Sequence, residues 1–160
     1  MEWIALLLKL AHIGLALTLV AGLIGRFVVL SRAAREDRVD RVAELTDLAG
    51  PFERLVVRSS LAILPVGMAT AWAQGYEWLG LTTGWMLVTV VIYLSLTALV
   101  PTVFLPSGRR FETALADARA QGAVTPTLRA EFANPAVRLA RNAELAGIAA
   151  IVALMVLKPF

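Results

Sequence analysis

WIALLLKLAHIGLALTLVAGLIGRFVVL, residues 3–30, carries three ionisable side chains, Lys9, His12 and Arg26, in an otherwise apolar run. About 20 apolar residues suffice to cross the hydrocarbon core of a bilayer. No water is available there to solvate an open backbone, so a run of this kind must pair its own N–H and C=O groups as a helix. The stretch does not read as a cleavable signal. Such a signal needs a basic segment before the apolar one, and this chain opens Met1-Glu2-Trp3 with its arginine at position 26.

Working outward, three more apolar blocks follow. Of the 160 residues, 59% are apolar and 17% charged, against roughly half and about a quarter in a soluble protein. The charge is concentrated between blocks one and two and between blocks three and four. The sequence predicts an all-α fold, a four-helix transmembrane up-down bundle forming one domain over residues 1–160. Its helices are expected at about 3–31, 55–76, 85–105 and 135–157, with helical cytoplasmic extensions in the loops 31–54 and 107–142.

Between blocks one and two, Arg32, Arg35, Arg38 and Arg41 recur every three residues among Glu36, Asp37, Asp40 and Glu44. The pattern reads as helix one continuing past the membrane with charges paired at i,i+3 and i,i+4. Gly50-Pro51 is the expected break, glycine as cap and proline opening the next helix. Block two holds Pro65, an expected kink, and the small residues Gly67, Ala71 and Gly75. Trp72, Tyr76, Trp78 and Trp85 surround the short second connection and read as an interfacial aromatic belt. Block three contains Pro101 and is expected to close at Pro106. A break at Gly122, a short helix opened by Thr125-Pro126 and a further start at Asn134-Pro135 lead into block four.

The loop charges are one-sided. Arg32, Arg35, Arg38, Arg41 and Arg54 lie in the first loop, and Arg109, Arg110, Arg119, Arg129, Arg138 and Arg141 in the third; residues 77–84 carry no arginine or lysine. By the positive-inside rule, loops one and three face the cytoplasm and both termini lie outside, in a multi-pass protein of the inner membrane. The net charge of +3 is thus an orientation signal. No groove-reading motif accompanies it, so nucleic acid is not an expected partner. Anionic lipid headgroups at the basic loops are, as are protein partners or further copies of the chain.

The chain has no cysteine, which excludes disulfides, thiolate metal sites, iron–sulfur clusters and cysteine nucleophiles. Phosphate-binding glycine loops and nucleophile elbows are also missing from the sequence. Ionisable groups at membrane depth are the candidates that remain. Lys9 and His12 share a face of helix one. Lys9 reads as a snorkelling lysine. His12 reads either as a haem or metal ligand or proton relay, or as a side chain bonded across the bundle. It is the only histidine, so a bis-histidine haem within one chain is excluded. A partner ligand among Met68, Met86 and Met155, or a haem shared by two chains, stays open. Arg26, Glu53, Arg54, Arg58 and Glu144 form a second set near the cytoplasmic ends. They read as inter-helix ion pairs, or as a site for an anion or lipid headgroup. Gly14, Thr18, Gly22 and Gly25 on helix one, and Asn142, Ala146, Ala149 and Ala153 on helix four, form small-residue stripes that predict close helix packing.

The opening LLLKLAHIGLALTLVAGLIGR, the Gly84-Trp85 start of helix three and the terminal LMVLKP resemble a predicted bacterial integral-membrane family of unknown function (domain of unknown function 2269). The resemblance implies four membrane helices and no assigned activity. His12 and Gly22 are also similar to positions in haem-linked small membrane proteins of the protoporphyrinogen-oxidase and copper-resistance D types, from which this chain departs in having no second histidine. The leading expectation is an accessory, assembly or interaction subunit without a catalytic site. A haem- or metal-associated redox protein using His12 is the alternative, and a small oligomeric transporter a third.

Overall fold

The computed structural model describes residues 2–159, and every element among them is helical. The order is α1 (Glu2–Ala33), α2 (Val39–Ala73), a 3-10 turn (Glu77–Gly80), α3 (Gly84–Leu99), a π turn (Val100–Phe104), α4 (Leu105–Gln121), α5 (Pro126–Phe132) and α6 (Pro135–Leu157). Four helical stretches, Glu2–Ala33, Val39–Ala73, Gly84–Gln121 and Pro126–Leu157, are long and apolar enough to cross a membrane. Leu17, Leu61, Leu139 and Val156 stand more than two-thirds exposed on the outside of the bundle. Hydroxyls within the apolar helices are satisfied locally: Thr18, Thr70, Thr89 and Ser95 each donate to the carbonyl four residues back. They therefore bring no unpaired donor into hydrocarbon.

Two helix pairs meet backbone to backbone, α1 along α2 and α3 along α6. Gly22 and Gly25 permit the first approach. A Cβ at Gly22 would meet the Val56 side chain at 2.9 Å, and one at Gly25 would fall inside the Phe52 ring. Gly147 serves the second, with Leu96 seated on it. Only part of the expected stripes is used: Gly14 has open space around it, and Asn142, Ala146, Ala149 and Ala153 are exposed. The Tyr93 hydroxyl donates to the Ser60 carbonyl and ties α3 to α2. Between α6 and α1, Arg26 meets Glu144 and Arg141 covers Phe27, beside a cleft.

The tightest core lies at the polar end of the bundle. Val39, Val42 and Ala43 of α2 pack with Ala114, Leu115 and Ala118 of α4 and Leu128 of α5. Phe111 and Phe132 meet edge to face at 4.9 Å beside them. These residues make a small helical cap. Thr125 and Asn134 cap α5 and α6 as the sequence predicts, accepting from the Leu128 and Ala136 amides. Gly122 ends α4 in the left-handed region, at φ 67°.

The polar connections differ from expectation in three ways. Helix one does not continue to Gly50. It stops at Ala33, and the charged stretch from Val39 belongs to α2, which runs unbroken through Pro51 and Pro65. The break falls at Ala34–Arg38, where no glycine or proline marks it. The Glu36 carboxylate accepts from the Asp37 and Arg38 amides. Arg129 of α5 donates to the Ala34 carbonyl at 2.7 Å and to the Asp37 carboxylate. The turn is therefore held by a tertiary clamp. Pro106, expected to close helix three, sits inside a helical run that continues to Gln121; the π turn beside it absorbs Pro101, with the Leu105 amide bonding the Val100 carbonyl. Finally, Trp85 is 5% exposed, unlike Trp72 and Trp78 of the aromatic belt at 61% and 79%. Tyr76 meets it edge-on at 6.3 Å and the Lys158 ammonium covers it at 5.7 Å.

Candidate functional site

Of the inner set predicted from sequence, the fold brings Arg26 and Glu144 together. Arg26 points from α1 at Glu144 of α6, with Nη2 3.6 Å from Oε2 and both side chains less than one-fifth exposed. Phe104 lies under Arg26, its ring centre 5.5 Å from the guanidinium carbon. Arg141, one turn before Glu144 on α6, covers Phe27 in the same way at 5.3 Å. It lies within Coulombic range of both Arg26 and Glu144. Two guanidiniums and one carboxylate thus leave one formal positive charge where the apolar helices reach the cap.

This cluster lines a cavity of about 300 Å³ between the bundle and the cap. Glu53, Glu112 and Glu131 line the same cavity. Glu131 is tied through Oε1 to Arg110 at 3.6 Å, while its Oε2 is buried and has no hydrogen-bond partner. Glu53 reaches the wall but stays exposed, and Arg54 and Arg58 are exposed; none of the three forms an ion pair among the described residues.

The outer set does not assemble. Lys9 is exposed and joins no ion pair among the described residues. The His12 ring instead turns onto α2 at Gly67. A Cβ at Gly67 would lie 2.9 Å from Cε1 and 3.2 Å from Nδ1, and Nδ1 is buried without a partner. The ring thus lies against α2 with its Nδ1 side, and Nε2 is 3.8 Å from the same point. Fourteen residues of helix, about 21 Å, separate it from Arg26.

A family model described as Predicted integral membrane protein (DUF2269) matches residues 6–159. The chain belongs to that family. No curated protein and no solved structure matches it. In this DUF2269 protein, the two motifs quoted above from the start of helix three and the end of the chain meet in space, as Lys158 on Trp85.

Sequence reasoning missed Arg141, Glu131 and Phe104. Arg141 had a readable signal: once Asn134-Pro135 starts α6, positions 141 and 144 share a helical face. Phe104 and Glu131 had none, because their places depend on the π turn and on α5 docking. Chemically, the Arg26–Arg141–Glu144 cluster is suited to holding charge. Arginine stays protonated at neutral pH and makes a poor proton shuttle, whereas a guanidinium fork matches carboxylate or phosphate oxygens.

Proposed function

We propose that this protein is a non-catalytic accessory subunit of an inner-membrane assembly, with both chain ends outside and the cap in the cytoplasm. The cap carries the reading. A cluster of buried apolar residues builds a small structure at the polar end of the bundle, clamped to the α1–α2 turn by Arg129. Its outer face is charged, with Arg41, Asp47 and Arg119 all at least half exposed. A rigid charged platform at the mouth of a bundle is suited to contact by a partner, and the electrostatics of such a face set specificity and encounter rate more than affinity. The arginine-free connection at 74–83 supports the orientation.

Orientation has a direct check. A cysteine replacing Thr82 should react with an impermeant thiol reagent in intact cells, and one replacing Ala120 only after lysis; both positions are exposed. The opposite pattern would invert the proposal. For the accessory role, native electrophoresis of gently solubilised native membranes should show the protein well above its size when expressed alone in a foreign host. Charge reversal at Arg41, Asp47 and Arg119 together should return it to the smaller size. One size in both hosts, whether monomer or homo-oligomer, would overturn the accessory reading.

A further inference from the structure

One side of α2 receives α1, with Gly22 against Val56 and the His12 ring against Gly67. On the opposite side, Arg54, Arg58, Leu61, Pro65 and Trp72 fall within about 60° of one another around the helix, and all five are exposed. Eighteen residues of helix, about 27 Å, separate Arg54 from Trp72. That is close to the roughly 30 Å thickness of a hydrocarbon core. With Trp72 at one interface, where aromatic side chains gather, Arg54 stands at the other. Arg58 lies one turn deeper. Helical side chains lean toward the N-terminus of their helix, and the N-terminal end of α2 lies in the cap. This lean and the length of the side chain let Arg58 bring its guanidinium up to the level of Arg54. Neither arginine forms an ion pair among the described residues. Glu53, next in sequence, lines the cavity on another side of the helix. Two like charges one turn apart repel, and charge at the edge of hydrocarbon is costly without a counter-ion.

We infer that this outward face of α2 holds a phospholipid with two phosphates in one headgroup, in the leaflet on the cap side. One phosphate meets Arg54 and the other Arg58, and acyl chains lie along Leu61 and Pro65 toward Trp72. Guanidinium forks match phosphate oxygens by paired hydrogen bonds. Residues one helical turn apart have their Cβ atoms about 5–6 Å from each other, so two positive charges are presented together. A single molecule that carries both phosphates is ordered once, and its second contact forms at high effective concentration. The order of the stripe favours a lipid over a protein helix as the occupant. Arginine, aliphatic residues and tryptophan follow one another over the length of a bilayer, on a face pointing away from the rest of the bundle. The site needs neither the accessory role nor one particular orientation of the bundle.

The test uses the full chain, stripped of lipid in mild detergent and read by native mass spectrometry. It is offered cardiolipin, phosphatidylglycerol at twice the molar concentration, or phosphatidylcholine, all with the same acyl chains. Doubling the phosphatidylglycerol equalises phosphates and acyl chains with cardiolipin. Cardiolipin should be retained about tenfold better than phosphatidylglycerol, the difference one charge-assisted hydrogen bond makes, and phosphatidylcholine least. Arg54→Gln and Arg58→Gln should each bring cardiolipin down to the level of phosphatidylglycerol. Arg32→Gln, at an exposed arginine near the end of α1, should change nothing. Arg58→Gln removes the deeper charge from an outward face and carries the test if Arg54→Gln does not fold. Equal retention of cardiolipin and phosphatidylglycerol by the parent chain, a preference that survives both substitutions, or an equal loss with Arg32→Gln would overturn the inference. Displacement of cardiolipin by inorganic phosphate at equal concentration would do so too, making an aqueous anion the ligand. So would a smaller assembly for Arg58→Gln in native electrophoresis of native membranes with cardiolipin retention unchanged, which would give the face to a carboxylate-bearing helix of another protein.

Discussion

Leu128→Ala should destabilise the cap by about 2–5 kcal/mol, the range for truncating a fully buried leucine in a packed core. Leu128 is 0% exposed, closed in by Val42, Ala114 and Ala118 from two other helices. Its helix is only seven residues long, too short to persist without tertiary packing. Losing that contact should free α5, and with α5 goes Arg129, the clamp on the Ala34–Arg38 turn. Leu128 packs within the cap cluster and not along the apolar helices, so the effect should be local. The readout is thiol labelling in detergent. A cysteine at Ala118, 0% exposed, should label slowly in the parent chain and approach the rate of one at Ala120 in the Leu128→Ala variant. Slow labelling at position 118 in both would mean that the cap is not held by this core.

The same region marks where sequence reading succeeds and where it stops. Apolar run length fixes the four spans because the bilayer imposes it. Asn134-Pro135, Thr125-Pro126 and Gly122 are legible because each supplies its own cap or backbone conformation. Gly50-Pro51 has the look of a boundary, yet α2 runs through it, with open space at Gly50 and Pro51 exposed. The real boundary at Ala34–Arg38 is made by Glu36 and by Arg129, which lies 95 residues after the carbonyl it holds. No local signal encodes a clamp from that distance. The candidate site divides the same way. Arg26 and Glu144 stood out because charge is rare in apolar helices. Arg141 was absorbed into the orientation arithmetic although its helical register with Glu144 was there to read. The packing of His12 on Gly67 was not legible either, because Gly67 reads as one more small residue in a stripe.

Removing charge from the Arg26–Glu144 pair should be asymmetric. Loss of one partner from a buried ion pair costs about 3–5 kcal/mol when the other is left uncompensated. Glu144→Gln meets that condition, since it leaves Arg26 and Arg141 together with no carboxylate between them; with the side chains near one-fifth exposed, the lower end, about 3 kcal/mol, is expected. Arg26→Met does not, because Arg141 remains within range to balance Glu144; its cost should be about 1 kcal/mol, close to the cation–π contact with Phe104. The double variant should then be more stable than Glu144→Gln alone, because it removes one of the two facing guanidiniums and leaves Arg141 on Phe27. Thermal unfolding of the four proteins in one detergent gives the cycle. If Arg26→Met proves the costlier single change, Arg141 is not sharing Glu144. The cluster would then be a simple pair with no net charge to offer an anion. Stability alone thus bears on whether the polar end of the α1–α6 cleft carries a net positive charge.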